Sequence, residues 1–325
     1  MREPIACLGA GRMGRGIAVV FAYAGHEVCL VDFKARDEAM FASLSDQALR
    51  EVRDVLATLA SFGLFDAAAV ETIAARVSVV PEAGTQKALS AATIIFEGLP
   101  EVLEVKREAL ARASKFAGPN PIIASTTSTI LVDDLSSAVE HPERFLNAHW
   151  LNPAFLVPLV ELSPGKHTDP HVTARVKTLL ESVGKVPVVC AARPGYIVPR
   201  IQALAMNEAA RMVEEGVASA EEIDKAIKFG FGFRFAVLGL LEFIDWGGGD
   251  ILYYASRYLT GALGSERYAA PQIVERNMAE GRRGLRDGAG FLNYEGLDID
   301  AYRRERLKAF VALLGHFGLN RPPVL

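Results

Sequence analysis

Four polar side chains stand out in the middle of the chain: Ser128 in STTSTI, His149 and Asn152 in NAHWLNP, and Glu161 in VPLVEL. A neutral imidazole accepts a proton near neutral pH, and a carboxylate beside it fixes the ring tautomer and stabilises the imidazolium. A histidine at a strand end with a carboxylate twelve residues on has one clear chemical use here, which is base catalysis of alcohol oxidation. Such chemistry needs an acceptor for the hydride that leaves with the proton, and the start of the chain predicts where that acceptor binds.

Residues 4–9, PIACLG, predict a short buried strand, followed directly by Gly9-Ala10-Gly11-Arg12-Met13-Gly14. A helix-period stretch, RGIAVVFAYAG, ends at Gly25, and a second strand, HEVCLVD, ends at Asp32, 18 positions past Gly14. In this βαβ order Gly9 allows the tight turn, Gly11 lets the backbone approach a pyrophosphate, and Gly14 lets helix and strand pack closely. The N-terminus of the helix, at Arg12 and Met13, then faces the phosphates. Asp32 would accept hydrogen bonds from the ribose hydroxyls and repel a 2′-phosphate, which favours NAD over NADP. Lys34 and Arg36 are the nearby cations that a 2′-phosphate would use.

Residues 36–75 are helical in period, with Leu49, Val52, Leu56, Leu59 and Phe62 on one face, and predict an inserted helical pair. VSVV, TIIFEGL, EVLEVKREALARA and PIIAS continue the alternation of strand and helix, and RFLNAHW, LVPLVEL and KVPVVCA add three more strands. After AARPGYIVPR helical signals dominate: IQALAMNEAARMVEEG closes at Gly216, and Ser219-Ala220-Glu221-Glu222 is a capping box. The expected fold class is α/β: a Rossmann-type doubly wound sheet with an inserted helical pair over residues 1–194, followed by an all-α C-terminal domain over residues 195–325. Exposed-looking aromatics in that second domain point to a homodimer through it, although core packing explains Phe229, Phe231, Phe233 and Phe235 nearly as well.

A net charge of -4 argues against nucleic acid, which favours basic footprints. Apolar runs stop well short of the roughly 18 residues a membrane span needs, and the N-terminus shows no secretory pattern. Cys7, Cys29 and Cys190 lie in apolar runs without metal-ligand spacing and read as buried thiols of a reducing, cytoplasmic compartment. His167 and His171 are separated by Pro170, which disfavours one helix through both, so no metal site is expected.

Taken together, GAGRMGRGIA, FEGLPEVLEVK, ASTTST, HPERFLNAHWLNP, PLVEL, RPGYIV and GLRDGAGFLNY resemble the 3-hydroxyacyl-CoA dehydrogenase family over nearly the full length. The resemblance implies an NAD-dependent oxidoreductase that interconverts a small 3-hydroxyacyl substrate and its 3-keto form. It makes His149 the catalytic base, Glu161 its orienting carboxylate and Ser128 a contact to substrate and base. It also places Asn152 in the nicotinamide pocket, makes Glu101 and Lys106 cofactor contacts at a helix start, and sets Arg286 where the family often has a lysine near the cofactor.

Two departures bear on the substrate. The family's PGF-I-V-N-R becomes Pro194-Gly195-Tyr196-Ile197-Val198-Pro199-Arg200, so a substrate-facing amide is replaced by Pro199. The family's SNTSS becomes Ser125-Thr126-Thr127-Ser128-Thr129, which keeps hydroxyls and loses an amide. The inserted pair, where acyl-CoA members place cations against the nucleotide, holds three basic residues against seven acidic ones. FGFGFRFAVLGLLE is in turn similar to relatives that oxidise free hydroxy compounds, such as gulonate and carnitine dehydrogenases. Alternatives are therefore a dehydrogenase of a free hydroxy acid, or an NAD-binding protein without turnover of the lens-crystallin kind, against which the intact Ser128, His149 and Glu161 argue.

Overall fold

The computed structural model describes residues 2–324. The chain divides into two compact units, Met1–Ala205 and Met206–Leu325. The first is built on an eight-stranded sheet: β1 (Ile5–Leu8), β2 (Val28–Val31), β3 (Val77–Val80), β4 (Ile94–Glu97), β5 (Ile122–Ser125), β6 (Phe145–Trp150), β7 (Leu159–Pro164) and β8 (Val186–Val189). Their order is β3-β2-β1-β4-β5-β6-β7-β8, parallel through β6, with β7 antiparallel to β6 and β8 parallel to β7. Strand order reverses between β1 and β4, and the crevice beyond the C-terminal strand ends there is where open α/β sheets take ligands.

Alternation of side chains across the pleat explains why the strands read as unbroken apolar runs. Ile5 and Cys7 face one buried cluster, while Ala6 and Leu8 face another on the opposite side. Helices α1 (Arg12–Tyr23), α2 (Glu38–Ser61), α3 (Val70–Ala74), α4 (Thr85–Ala91), α5 (Leu103–Ala117), α6 (Val132–Ser136) and α7 (Pro170–Ser182) cover the two faces. Pro170 is the first residue of α7 and His167 lies outside it.

The inserted pair is α2 and α3. Asp37 caps α2 by accepting from the Met40 amide, and Val52, Leu56 and Leu59 are buried as the periodicity predicts. Phe62 corrects that reading: it follows the last turn of α2 and is 79% exposed. The cysteine reading is corrected in part, since Cys7 is buried but Cys29 and Cys190 are only partly so, and all three are free thiols.

Helix α8 (Val198–Glu214) crosses the unit boundary, and Gly216 adopts a left-handed φ just beyond it. In the second unit come α9 (Ala220–Ala226), capped by the Ser219 hydroxyl, a π-helical turn over Ile227–Gly232, α10 (Phe233–Phe235), α11 (Leu240–Gly247), α12 (Gly249–Leu263), α13 (Gln272–Ala279) and α14 (Ile299–His316). Phe229 and Phe233 pack on Phe317, and Phe231 and Phe243 pack on Phe235, so the phenylalanine run forms aromatic contacts inside this unit. Asp245, 2% exposed, accepts from the Phe291 and Leu292 amides and the Tyr294 hydroxyl and so organises the 284–294 loop. No helix among the described residues is long and apolar enough to cross a membrane.

Candidate active site

The C-terminal ends of β1, β2 and β4 converge on a glycine cradle. Gly9 turns with φ 97°, and a Cβ on Gly14 would sit 2.2 Å from the Gly9 carbonyl oxygen, so α1 packs on the turn only because both are glycine. A Cβ on Gly11 would meet nothing within 4 Å, which leaves the backbone there open to approach. Gly11 caps α1 without a side-chain bond and the first turn, with Arg12 and Met13, holds no acid, so its free amides suit a pyrophosphate.

Asp32 follows β2 directly and is nearly buried, with the Arg36 Nε donating to its Oδ2 at 2.5 Å. Arg36 is therefore already engaged by a carboxylate, whereas Lys34 pairs with none among the described residues. A cavity of about 350 Å³ lies alongside, lined by Phe33, Lys34, Leu99, Pro100 and Val105 among others. Apolar walls beside a ribose-binding acid suit an adenine ring, so the chain's own residues fit a dinucleotide from base to pyrophosphate.

His149 and Glu161 face each other as a cross-strand pair of β6 and β7. The His149 Nδ1 donates to Glu161 Oε2 at 2.8 Å, since a carboxylate can only accept, and this leaves the Nε2 lone pair free. Nε2 makes no hydrogen bond among the described residues. Glu161 is fully buried, and its Oε1 accepts from the Ile197 and Val198 amides, both at 2.9 Å. The carboxylate thus sits at the N-terminus of α8, where unpaired amides favour negative charge. Pro199 occupies the first turn of that helix, where its missing N–H breaks no bond.

Glu101 gathers the Ser/Thr loop: its Oε1 accepts from the Ser128 and Thr129 amides and from the Thr127 and Thr129 hydroxyls. Burial acts to raise the Glu101 pKa, but these hydrogen bonds and the Lys106 charge outweigh it and hold the carboxyl below its usual range. The tie is therefore fully present at neutral pH and is lost only as pH falls through that lowered value. The Ser128 backbone is fixed in this way while its side chain stays exposed and makes no hydrogen bond to His149. Asn152 is also exposed, two residues past the end of β6.

Lys106 faces inward. It is 1% exposed, and its Nζ donates to both Glu97 oxygens at 2.8 and 3.1 Å and to the Leu99 carbonyl at 3.1 Å. With its ammonium bonded in this way, Lys106 supports the 99–101 turn from behind. The sequence reading missed its partner Glu97, fully buried at the end of β4 and bonded also to Ser125 Oγ and the Leu99 amide. An acid closing the apolar run IIFE with a lysine nine positions on was the available signal. Arg286 lies in the second unit, where it pairs with Asp250 at 2.7 Å.

Comparison with known sequences decides the family. The profile of the 3-hydroxyacyl-CoA dehydrogenase NAD binding domain matches residues 4–193, and that of the C-terminal domain matches residues 195–294. The chain belongs to the 3-hydroxyacyl-CoA dehydrogenase family. It is an NAD-dependent oxidoreductase acting on CH–OH. A 5-formyl-3-hydroxy-2-methylpyridine 4-carboxylate 5-dehydrogenase of Mesorhizobium japonicum is 29% identical, covering 96% of this chain and 97% of the relative. An L-carnitine dehydrogenase of Oceanobacillus iheyensis is 32% identical over 76% of this chain and 77% of its own. The crystal structure of a 3-hydroxyacyl-CoA dehydrogenase from Archaeoglobus fulgidus superimposes with a TM-score of 0.77 at 31% identity, covering 98% of this chain and 100% of the other. Within this dehydrogenase family, relatives thus carry names with and without CoA.

Proposed function

We propose that this dehydrogenase oxidises a secondary alcohol β to a carboxyl carbon, and reduces the ketone in reverse, with His149 as general base. The observation that carries the reading is the His149–Glu161 pair, with Nε2 unbonded on a strand that ends on the cofactor side of the sheet. Nε2 takes the hydroxyl proton, and Glu161, held by the Ile197 and Val198 amides at the start of α8, cannot swing away as the imidazolium forms. Bound NAD supplies the hydride acceptor. Gly9, Gly11, Arg12 and Met13 would hold its pyrophosphate, with Gly14 letting α1 pack close behind them; Asp32 would hold its ribose, and Asn152 would border its nicotinamide. Glu101 fixes the Ser128 backbone so that the hydroxyl meets the substrate oxygen, and Lys106 fixes Glu101.

A free acid is favoured over a CoA thioester. In the inserted pair Arg53 is bonded to Glu71 and Arg36 to Asp32, so two of its three cations are already paired. Pro199 offers a substrate carbonyl neither a side-chain amide nor a backbone N–H. The names of the pyridine carboxylate and carnitine relatives contain no CoA. Free β-hydroxy acids should be oxidised with kcat/KM at least equal to that of 3-hydroxybutyryl-CoA. A thioester preference of about a thousandfold, roughly 4 kcal/mol of transition-state binding, would overturn this choice.

The Asp32–Arg36 pair carries a prediction of its own. Asp32→Ala removes the ribose acceptor and frees Arg36 for a 2′-phosphate, so the affinity gap between NADH and NADPH should narrow by about tenfold or more. Fluorescence titration of both cofactors reads this directly. A native preference for NADPH would show that Asp32 does not select the cofactor.

A cytoplasmic homodimer completes the proposal. Helices α8 and α14 bury no residue, and Leu204, Met206, Leu307 and Val311 are exposed. A helical unit gains its stability from a packed apolar face, and a second copy of this chain supplies the matching one. Sedimentation analysis is expected to return twice the chain mass.

A further inference from the structure

We propose that Tyr196 is a positioning residue for His149: its ring backs the imidazole and stabilises the cation that the imidazole becomes, and its hydroxyl ties that support to the loop carrying Ser128. The inference rests on the reading of His149 as the base. The two rings stack with centroids 4.9 Å apart and planes 13° from parallel. An aromatic face carries negative potential, so an imidazolium over it is favoured beyond a neutral imidazole. Tyr196 is 9% exposed, and little water screens that attraction.

The hydroxyl has its own task. It donates to the Thr127 carbonyl at 2.9 Å and accepts from Asn147 Nδ2 at 3.0 Å. Asn147 lies two residues before His149 on the same face of β6, and Thr127 immediately precedes Ser128. One phenol therefore bridges the strand of the base and the loop of the serine. Burial, with the charges of Glu101, Cys190 and Glu161 added and the Asn147 hydrogen bond opposing, pushes the phenol pKa up, so the hydroxyl stays a neutral donor. Of those groups Glu161, from β7, is the one bonded to His149. Tyr196 also holds φ 45°, a backbone state unfavourable for a bulky side chain, which the surrounding contacts must impose. The family's phenylalanine at this position would keep the stack and lose both hydroxyl bonds.

The test is an NMR titration of the His149 imidazole in the full-length protein, assigned with His149→Gln, beside the pH profile of kcat/KM. Tyr196→Leu removes the ring and should lower the titration midpoint by about half a unit or more, moving the acid limb of the profile with it. Tyr196→Phe keeps the ring and should leave the midpoint in place, while kcat falls about tenfold from lost alignment and NADH affinity holds. Because leucine is strained at this left-handed position, phenylalanine analogues with successive ring fluorination at 196 provide an isosteric series in which the midpoint should fall stepwise. A midpoint indifferent to ring fluorination overturns the proposal. A midpoint that falls while the rate profile stays fixed upholds the stack and removes His149 from the role of base.

Discussion

His149→Ala is expected to lower kcat by about 10²- to 10⁴-fold, the range of a general base, while NADH affinity stays close to native. The separation follows from the geometry, because the proposed base lies on β6 while the glycine cradle is formed at β1, β2 and β4. Glu161→Gln should cost less activity and more stability. Its amide would retain one acceptor, but its NH₂ must then face either the Ile197 and Val198 amides or the His149 Nδ1–H, and donor against donor inside a fully buried site is unfavourable. Steady-state kinetics with a fluorescence titration of NADH check both. Retention of most activity by His149→Ala would sink the assignment.

What the sequence revealed of this site was the part that local pattern encodes. GAGRMG between a strand and a helix predicted the glycine cradle, and a Cβ placed on Gly14 would sit 2.2 Å from the Gly9 carbonyl oxygen, too close for any residue but glycine. The twelve-residue interval between His149 and Glu161 proved to be an antiparallel cross-strand pair, a register that period-2 alternation along β6 and β7 permits. Hidden from the sequence were partners supplied by the backbone. Nothing in RPGYIV announces that the Ile197 and Val198 amides hold Glu161, because backbone donors carry no residue code. Tyr196 was visible only as a substitution, since its value depends on a stack between residues 47 positions apart. Phe62 was misplaced for a related reason, as helical period predicts a face but not where the neighbour that covers it ends.

The buried cluster behind the site leads to the second large effect. Lys106→Met is expected to destabilise the protein by about 3–5 kcal/mol, because it leaves the Glu97 carboxylate uncompensated in the interior, with a fall in melting temperature of roughly 10 °C. Glu97 would keep Ser125 Oγ and the Leu99 amide as donors, but would lose its cation, and Leu99 would lose the ammonium on its carbonyl. The Lys106→Met, Glu97→Gln double variant removes both charges at once and should recover most of that loss, since a buried ion pair replaced by neutral groups of similar volume is often close to neutral in free energy. Catalysis should respond differently. Lys106 also lies 3.6 Å from Glu101 Oε2, and Glu101 orders the Ser128 loop, so the double variant should regain stability while its Ser128 loop remains loosened and its kcat remains below native. Denaturant unfolding of the four proteins in the cycle, with kcat measured on each, separates the two effects. A double variant as unstable as Lys106→Met would show that Lys106 acts through packing of its alkyl chain and not through the charge it places beside Glu97.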